Sequence, residues 1–155
     1  IKTTKRGLTM YEIERKFLIS TNKIPVLSYE TIHNSLHNEL FYIQTNHEIK
    51  FRKETVGYSE DRKYYKTENG IETPITEDEY YDNFPRHISN VITYRSYRLD
   101  DGDQCFLNTY NDIDFNIAVV KFKNKEESVR FIIPEWFGEE VTGIDKYNDV
   151  NIVTK

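Results

Sequence analysis

The chain has 155 residues, a formal net charge of −5 at neutral pH and a single cysteine. This length suits one domain with a substantial core and is short for two. An acidic chain lacks the broad excess of Lys and Arg that long nucleic acids and anionic membranes attract, and one cysteine excludes an internal disulfide. No apolar run has the length of a membrane span or a secretory signal, so the sequence predicts a cytosolic protein.

Strand signals dominate the chain. The 12 Tyr and 9 Phe, together with a preference for Ile and Val over Ala, favour β-structure. Alternation of apolar and polar residues predicts strands at 11–19, 40–45, 48–54, 63–66, 91–99, 104–110 and 117–123. Asp100-Asp101-Gly102-Asp103 is typical of a hairpin turn, and a linker at 20–38, which contains Pro25, has room for a short helix.

Helices are few in this sequence. Thr76-Glu77-Asp78-Glu79 is a capping box and predicts a structural helix that runs to about Phe84, where Pro85 ends it. Residues 125–131 can form a second short helix. Six to eight antiparallel strands with one or two helices outside predict a closed or nearly closed barrel, since closure removes exposed edges.

The domain organisation predicted from the sequence is simple. Residues 1–9 are polar, basic and aperiodic, and are expected to be a flexible N-terminal extension. Residues 10–155 are expected to form a single domain.

The most informative motif lies in the first predicted strand. In Glu12-Ile13-Glu14-Arg15-Lys16, side chains alternate between two faces, so Glu12, Glu14 and Lys16 project together. Two carboxylates about 7 Å apart can hold a hard divalent cation, and a lysine beside them can hold the phosphate that the cation binds. The alternative is a solvated strand face with an i,i+2 charge pair, which the charge alternation by itself favours.

This motif resembles the N-terminal Glu-x-Glu-x-Lys strand of the CYTH superfamily, the triphosphate tunnel metalloenzymes. The segment Pro134-Glu135-Trp136-Phe137-Gly138-Glu139-Glu140-Val141-Thr142 resembles the closing Trp-x-Gly-x-Glu-Val-Thr of that family, and Tyr147 and Asn148 resemble the Tyr-x-Asn that usually follows. The resemblance covers most of residues 10–153. It implies a strand-rich α+β fold, an antiparallel β-barrel whose inward side chains form a triphosphate tunnel, with a few helices packed outside.

The resemblance also implies which cations bind the ligand. Lys16, Lys50 and Arg52 would face the tunnel from different strands, and Lys66 would extend this basic face. Arg52 can bind two phosphate oxygens with its planar fork, whereas the lysines act as point charges. A solvated basic face is the alternative for each of them taken singly.

The strand at 91–99 can be aligned with the family in two registers. If Tyr97 takes the family's aromatic position, Tyr94 and Ser96 stand where cations are expected, and Arg98 is the nearest charge on that face. Arg95 would then point outward. A slip of one residue reverses the assignment, because it moves every side chain to the other face.

The acidic side of the family pattern is where this sequence departs most. Only Glu72 stands where the family has an Arg-x-Glu-x-Glu strand, and Asn108 stands where it has an Asp. The paired carboxylates of its Ala-Glu-x-Glu-Phe strand fall on Val119 and Lys121. Lys121, with Lys123 two residues later, would instead bring fixed positive charge to the ligand.

Hydrolysis in this family is understood to need divalent metals that carboxylates hold and that position the attacking water. Glu12 and Glu14 would be the catalytic carboxylates and, with Glu72, could hold one Mg²⁺ or Mn²⁺ weakly, with waters completing the shell. A second metal lacks ligands. In an alternative alignment, Asp112 or Asp114 supplies the missing carboxylates from a bulged strand.

The sequence therefore predicts a protein that binds a small triphosphate-bearing or nucleotide ligand, with weakened hydrolysis and no required cofactor. Its alternative is an active Mg²⁺- or Mn²⁺-dependent triphosphatase acting on inorganic triphosphate, thiamine triphosphate or a nucleoside triphosphate. A third interpretation, an interaction module that kept only the fold, is disfavoured because inward cations are costly to retain without an anion. The abundance of Asn, Lys, Ile and Tyr is typical of an AT-rich phage or viral source, where such a protein would sequester a signalling nucleotide in the host cytoplasm. The oligomeric state stays open.

Overall fold

Ten strands and four short helices make up the part of the chain that the computed structural model describes, namely residues 4–6, 9–11, 13–99, 104–111 and 113–154. The strands are β1 (Thr4–Arg6), β2 (Thr9–Tyr11), β3 (Ile13–Ile19), β4 (Leu36–Ile43), β5 (Asn46–Val56), β6 (Arg62–Glu68), β7 (Ile71–Ile75), β8 (Ile92–Arg98), β9 (Cys105–Tyr110) and β10 (Asn116–Phe122). The helices are α1 (Tyr29–His33), α2 (Glu77–Asp82), α3 (Lys125–Arg130) and α4 (Asp149–Thr154), and 3₁₀ turns lie at Thr21–Lys23, Ile88–Asn90 and Asp145–Tyr147. None of the helices in these residues is long and apolar enough to cross a membrane.

Eight of the strands form one antiparallel sheet, in the order β3-β10-β9-β8-β4-β5-β6-β7. Two meanders, β4 to β7 and β8 to β10, meet where β4 pairs with β8. One cavity is lined by side chains from β3, β4, β5, β8, β9 and β10, so the sheet curls around its inner face. These features confirm the predicted strand-rich α+β architecture with a few helices. The short β1 and β2 pair with each other as a separate hairpin, in the stretch where the sequence predicted an aperiodic extension.

Helix α2 covers one part of the outer face of the sheet. Its first turn is capped as the capping box predicts, since the Thr76 hydroxyl accepts a hydrogen bond from the Glu79 N–H at 3.1 Å. Tyr80, which is 0% exposed, then packs its ring against Phe41 and Phe51, with centroids 5.2 and 6.5 Å away. The helix is therefore anchored to the sheet by one deeply buried aromatic side chain.

Residues 134–142, called here the closing segment, lie along the edge of β3 that β10 leaves open. The N–H of Leu18 donates to the Glu139 carbonyl, the N–H of Gly138 donates to the Leu18 carbonyl and the N–H of Val141 donates to the Lys16 carbonyl, each at 2.8 Å. A Cβ atom at position 138 would lie 2.6 Å from the Leu18 carbonyl oxygen, so this approach requires glycine. The segment thus protects a strand edge that would otherwise be open to pairing with another chain.

Glu140 in this segment has a structural role. Its carboxylate accepts two hydrogen bonds from Arg15, at 2.9 and 2.7 Å, and one from the Thr142 hydroxyl at 2.7 Å. Arg15 also donates to the Ser128 carbonyl of α3 at 2.9 Å. The hydrogen bonds from Arg15 are the main reason that the pKa of Glu140 falls to about 2. Glu140 therefore ties the closing segment to β3 on the outer side of the sheet.

Helix α4 closes one end of the inner face. Ile152 is 4% exposed and packs against Leu40, Ile92 and Ile117, which project inward from β4, β8 and β10. The inner face is therefore apolar at the end where α4 docks and polar beyond it.

Strand β7 is the strand of the main sheet that the sequence analysis missed. Asn69 and Gly70, with φ angles of 54° and 77°, make the two-residue turn that connects it to β6. Asn-Gly is the preferred pair for such a turn. The strand itself is mostly exposed and contains Pro74, so it carries little apolar alternation. The turn predicted at 100–103 lies outside the described residues.

Candidate functional site

The cavity on the inner face has a volume of about 220 Å³. Its walls are side chains that alternate along six strands, with one residue from α4: Glu14, Lys16, Leu36, Asn38, Lys50, Arg52, Tyr94, Ser96, Phe106, Asn108, Tyr110, Ile117, Val119, Lys121 and Asp149. Sites for drug-sized ligands usually exceed about 300 Å³. The cavity therefore suits a phosphate chain or a single ring, and a larger ligand would extend out of its mouth.

Two of the predicted cations, Lys16 and Lys50, reach the cavity from β3 and β5. Lys16 Nζ lies 3.9 Å from Glu14 Oε1, and Lys50 Nζ lies 3.9 Å from Asp149 Oδ2. Charge-assisted hydrogen bonds are usually about 2.7–2.9 Å long, so both contacts are loose ion pairs. An anion in the cavity could therefore compete with each carboxylate for its lysine.

Arg52 also lines the cavity, but its guanidinium is tightly held by other side chains. Nε and Nη2 donate to the two carboxylate oxygens of Glu72 at 3.2 and 2.9 Å, and Nη1 donates to Glu54 at 2.8 Å and to Asn38 at 2.9 Å. The guanidinium carbon lies 4.5 Å from the centre of the Tyr65 ring. Burial lowers the pKa of Arg52, but the bonds to Glu72 and Glu54 outweigh it and the net pKa is raised. Arg52 therefore holds three strands together, whereas the sequence suggested that its guanidinium binds phosphate oxygens.

Strand β10 brings Val119 and Lys121 into the cavity. Val119 lies opposite Lys16, and Lys121 lies opposite Glu14 on β3. Lys121 Nζ lies 5.1 Å from the centre of the Phe106 ring. Val119 and Lys121 therefore both face inward.

The register of β8 is also settled by the structure. Tyr94 and Ser96 line the cavity, whereas Arg95 projects outward and donates to the Ser35 hydroxyl at 2.9 Å. This is the first of the two predicted registers. Arg98 has the same face by alternation, but it is exposed at the end of the strand and lies outside the cavity lining.

Two predicted ligand-binding lysines lie away from the cavity. Lys66 pairs with the outward-facing Phe51, and its Nζ lies 3.6 Å from Glu68 Oε1. The prediction that Lys66 extends the inner basic face is therefore wrong, because directly paired residues share a face. Lys123 follows the end of β10, is exposed and does not line the cavity.

Of the three carboxylates predicted to hold a metal, the two in the described residues have different partners. Glu14 lines the cavity, Glu72 is bound to Arg52, and Glu12 lies outside the described residues. Asp114 is exposed in the connection between β9 and β10, so it does not supply a missing acid, and Asp112 lies outside the described residues. Within the described ranges, no three His, Cys, Asp or Glu side chains form a group that could hold a metal ion. These residues alone do not fit a dedicated metal centre.

Strand β9 contributes an uncharged wall of the cavity. Phe106, Asn108 and Tyr110 project from it, and Ile117 of β10 lies directly opposite Asn108. Asn108 Oδ1 is buried without a hydrogen-bond donor among the described residues. Burial, followed by the charge of Asp149, raises the pKa of Tyr110 well above its usual value, so its hydroxyl stays protonated near neutral pH.

The sequence analysis missed two acidic residues of this site. Glu54 follows Lys50 and Arg52 at the same two-residue spacing, so the alternation of β5 could have placed it on the inner face. Asp149 carries no such signal, because only the docking of α4 brings it to the cavity. The site predicted from the sequence motifs therefore lacked two of its carboxylates.

The fold defined by this sheet and cavity is found in solved structures. The crystal structure of the inorganic triphosphatase NE1496 matches with a TM-score of 0.64 and 24% sequence identity, over 96% of this chain and 98% of that chain. A second crystal structure, of the hypothetical protein NE1496, matches with a TM-score of 0.63 and 24% identity, over 92% of this chain and 97% of the other. The chain therefore shares the fold of these two structures. No family model and no curated protein matches the sequence.

Proposed function

We propose that the protein binds a small triphosphate-bearing or nucleotide ligand in its inner cavity and hydrolyses it poorly or not at all. The cavity offers Lys16, Lys50 and Lys121 as point charges for phosphate oxygens. Its size suits a phosphate chain, and its enclosure by the curled sheet strengthens each ionic contact because water is partly excluded. The shared fold with inorganic triphosphatase NE1496 supports this class of ligand.

The observation that carries the proposal is the pair Val119 and Lys121 on the inward face of β10. The family resemblance implies carboxylates at both positions. Val119 offers no metal ligand, and Lys121 brings a cation next to Glu14. A lysine binds phosphate, but it cannot lower the pKa of a bound water as a divalent metal does. The protein therefore keeps ligand binding while its hydrolysis is weakened.

A single Mg²⁺ or Mn²⁺ is compatible with this proposal but is not required for it. Glu12 and Glu14 would hold the ion weakly, and Glu72 could join them only by leaving Arg52. The ion would partly neutralise the ligand and position it. Capture without turnover would allow the protein to sequester a signalling nucleotide in the cytoplasm of an infected host, if its source is viral.

The second candidate function is an active, metal-dependent triphosphatase. It is favoured by the likeness to inorganic triphosphatase NE1496 and by Glu14, which the cavity retains. Its substrates would be inorganic triphosphate, thiamine triphosphate or a nucleoside triphosphate.

Phosphorus NMR separates the two functions in one experiment. The purified protein is mixed with tripolyphosphate, ATP and a panel of cyclic nucleotides, with and without Mg²⁺ or Mn²⁺. Shifted or broadened ligand signals without new products are expected, and the ligand affected identifies the class. New phosphate signals that grow with metal would establish the triphosphatase instead.

Lys121→Glu tests the role assigned to Lys121. The new carboxylate would lie opposite Glu14, so ligand binding should become more dependent on Mg²⁺, by at least tenfold between metal-free and metal-containing buffer. Lys123→Glu is the matched control, because it makes the same charge change outside the cavity. Equal metal dependence in the two variants would mean that Lys121 does not act on the ligand.

A further inference from the structure

We propose that Asp149 is an internal counter-ion of the cavity, whose carboxylate competes with a ligand phosphate for Lys50 and so limits the negative charge that the site accepts. This inference rests on the proposed function, since it assumes that Lys50 binds a phosphate. It assigns a role to a residue that no sequence motif indicated.

The geometry places Asp149 where it can compete. It is the first residue of α4 and lines the cavity, and its Oδ2 lies 3.9 Å from Lys50 Nζ. The side chains of Lys50 and Asp149 are 17% and 35% exposed. A partly exposed ion pair at this distance is weak, so a phosphate with several oxygens can replace the carboxylate.

The negative charge of Asp149 acts on tyrosine side chains inside the sheet. Burial raises the pKa of Tyr42 and of Tyr94, and the negative charge of Asp149 is the next cause in both cases. The same order of causes holds for Tyr110. A carboxylate that acts on three tyrosines from three strands faces the inside of the sheet, where a ligand would lie.

The charges that the described residues bring to the cavity nearly balance. Among the described residues, its cations are Lys16, Lys50, Arg52 and Lys121. Four carboxylates lie against them: Glu14 and Asp149 in the lining, and Glu54 and Glu72 on Arg52. A metal-free triphosphate with about four charges would therefore meet little net attraction unless one carboxylate moves away.

Asp149 is the carboxylate best placed to move. Glu54 and Glu72 make short bonds to Arg52, and the backbone of Glu14 is held in the ladder of β3 with β10. Asp149 belongs to a six-residue helix whose buried anchor is Ile152. A helix this short has little stability of its own, so ligand binding can shift it at low cost.

The test is isothermal titration of tripolyphosphate into the full chain, in metal-free buffer and again with Mg²⁺. Asp149→Asn keeps the size of the side chain and removes its charge. We expect at least tenfold tighter binding than in the unaltered protein without metal. A smaller gain is expected with Mg²⁺, because the metal complex carries less negative charge.

Asp145→Asn is the matched control, since this exposed residue precedes α4 and does not line the cavity. Its affinity should equal that of the unaltered protein. If Asp149→Asn leaves the affinity unchanged, or weakens binding with Mg²⁺ as loss of a metal ligand would, the inference is wrong while the proposed function stands. If neither the unaltered protein nor Asp149→Asn binds any phosphorylated ligand under either condition, the proposed function itself fails.

Discussion

The outer and inner faces of the main sheet contribute differently to the protein. On β5, Phe51 faces outward and is 1% exposed among aromatic rings, whereas Lys50 and Arg52, on either side of it, face the cavity. Outward packing stabilises the fold through apolar burial, which does not depend on a ligand. The inner face carries charged side chains that pair with one another. We expect it to contribute less to stability than the outer face and, under the proposed function, more to ligand binding.

The largest expected effect comes from the outer face. Tyr80→Ala should lower the free energy of unfolding by about 3–5 kcal/mol, because it empties a fully buried ring site under α2. Urea unfolding followed by circular dichroism measures the loss. Tyr81→Ala is the matched control, since Tyr81 is 44% exposed. Equal losses at both positions would contradict the view that full burial of the Tyr80 ring decides its contribution to stability.

A pair of inner-face variants sharpens the contrast between Arg52 and Lys50. Arg52→Ala should cost about 2–3 kcal/mol in stability, because it leaves the carboxylate of Glu54 without its partner at 12% exposure. Lys50→Ala should cost less than about 1 kcal/mol, since its ion pair with Asp149 is long and partly exposed.

Binding should respond in the opposite order to stability. Titration with tripolyphosphate should show a greater loss of affinity for Lys50→Ala than for Arg52→Ala, measured below the unfolding transition of each variant. A greater loss for Arg52→Ala would mean that its guanidinium leaves Glu54 and Glu72 to bind the ligand.

The smallest effect concerns the closing segment. The pKa of Glu140 lies at about 2 in the folded protein against an ordinary 4.5, so its pairing with Arg15 stabilises the fold fully above pH 4.5 and is lost as pH falls towards 2. Glu140→Gln should remove this part of the acid dependence and cost about 0.5–1 kcal/mol at neutral pH, as expected of a partly exposed bidentate pair.

Thermal unfolding at several pH values measures this effect. The difference between the unaltered protein and Glu140→Gln should be constant at neutral pH and should shrink between pH 4.5 and 2. A difference that persists at pH 2 would assign the effect to packing and not to the charge of Glu140.

Local patterns in the sequence predicted most of the elements. Two-residue alternation located every strand of the main sheet except β7, and the capping box located α2. Alternation put Glu14 and Lys16 on the same face of β3, because side-chain direction in a strand follows from position. The family resemblance implied that this face, and with it Lys50 and Lys121, points inward. The same resemblance failed for Lys66, since the register of β6 against β5 decides which face Lys66 takes.

The pairings between distant residues were decided by the tertiary structure alone. The sequence contains Arg52, Glu54 and Glu72, but only the curling of β5 and β7 towards each other turns them into an ion network. Asp149 reaches Lys50 because Ile152 docks α4 against the inner face. Local sequence determines which way a side chain points, whereas long-range packing determines which charge it meets. Long-range packing therefore determines the charge balance of the cavity, and with it the ligand that the cavity accepts.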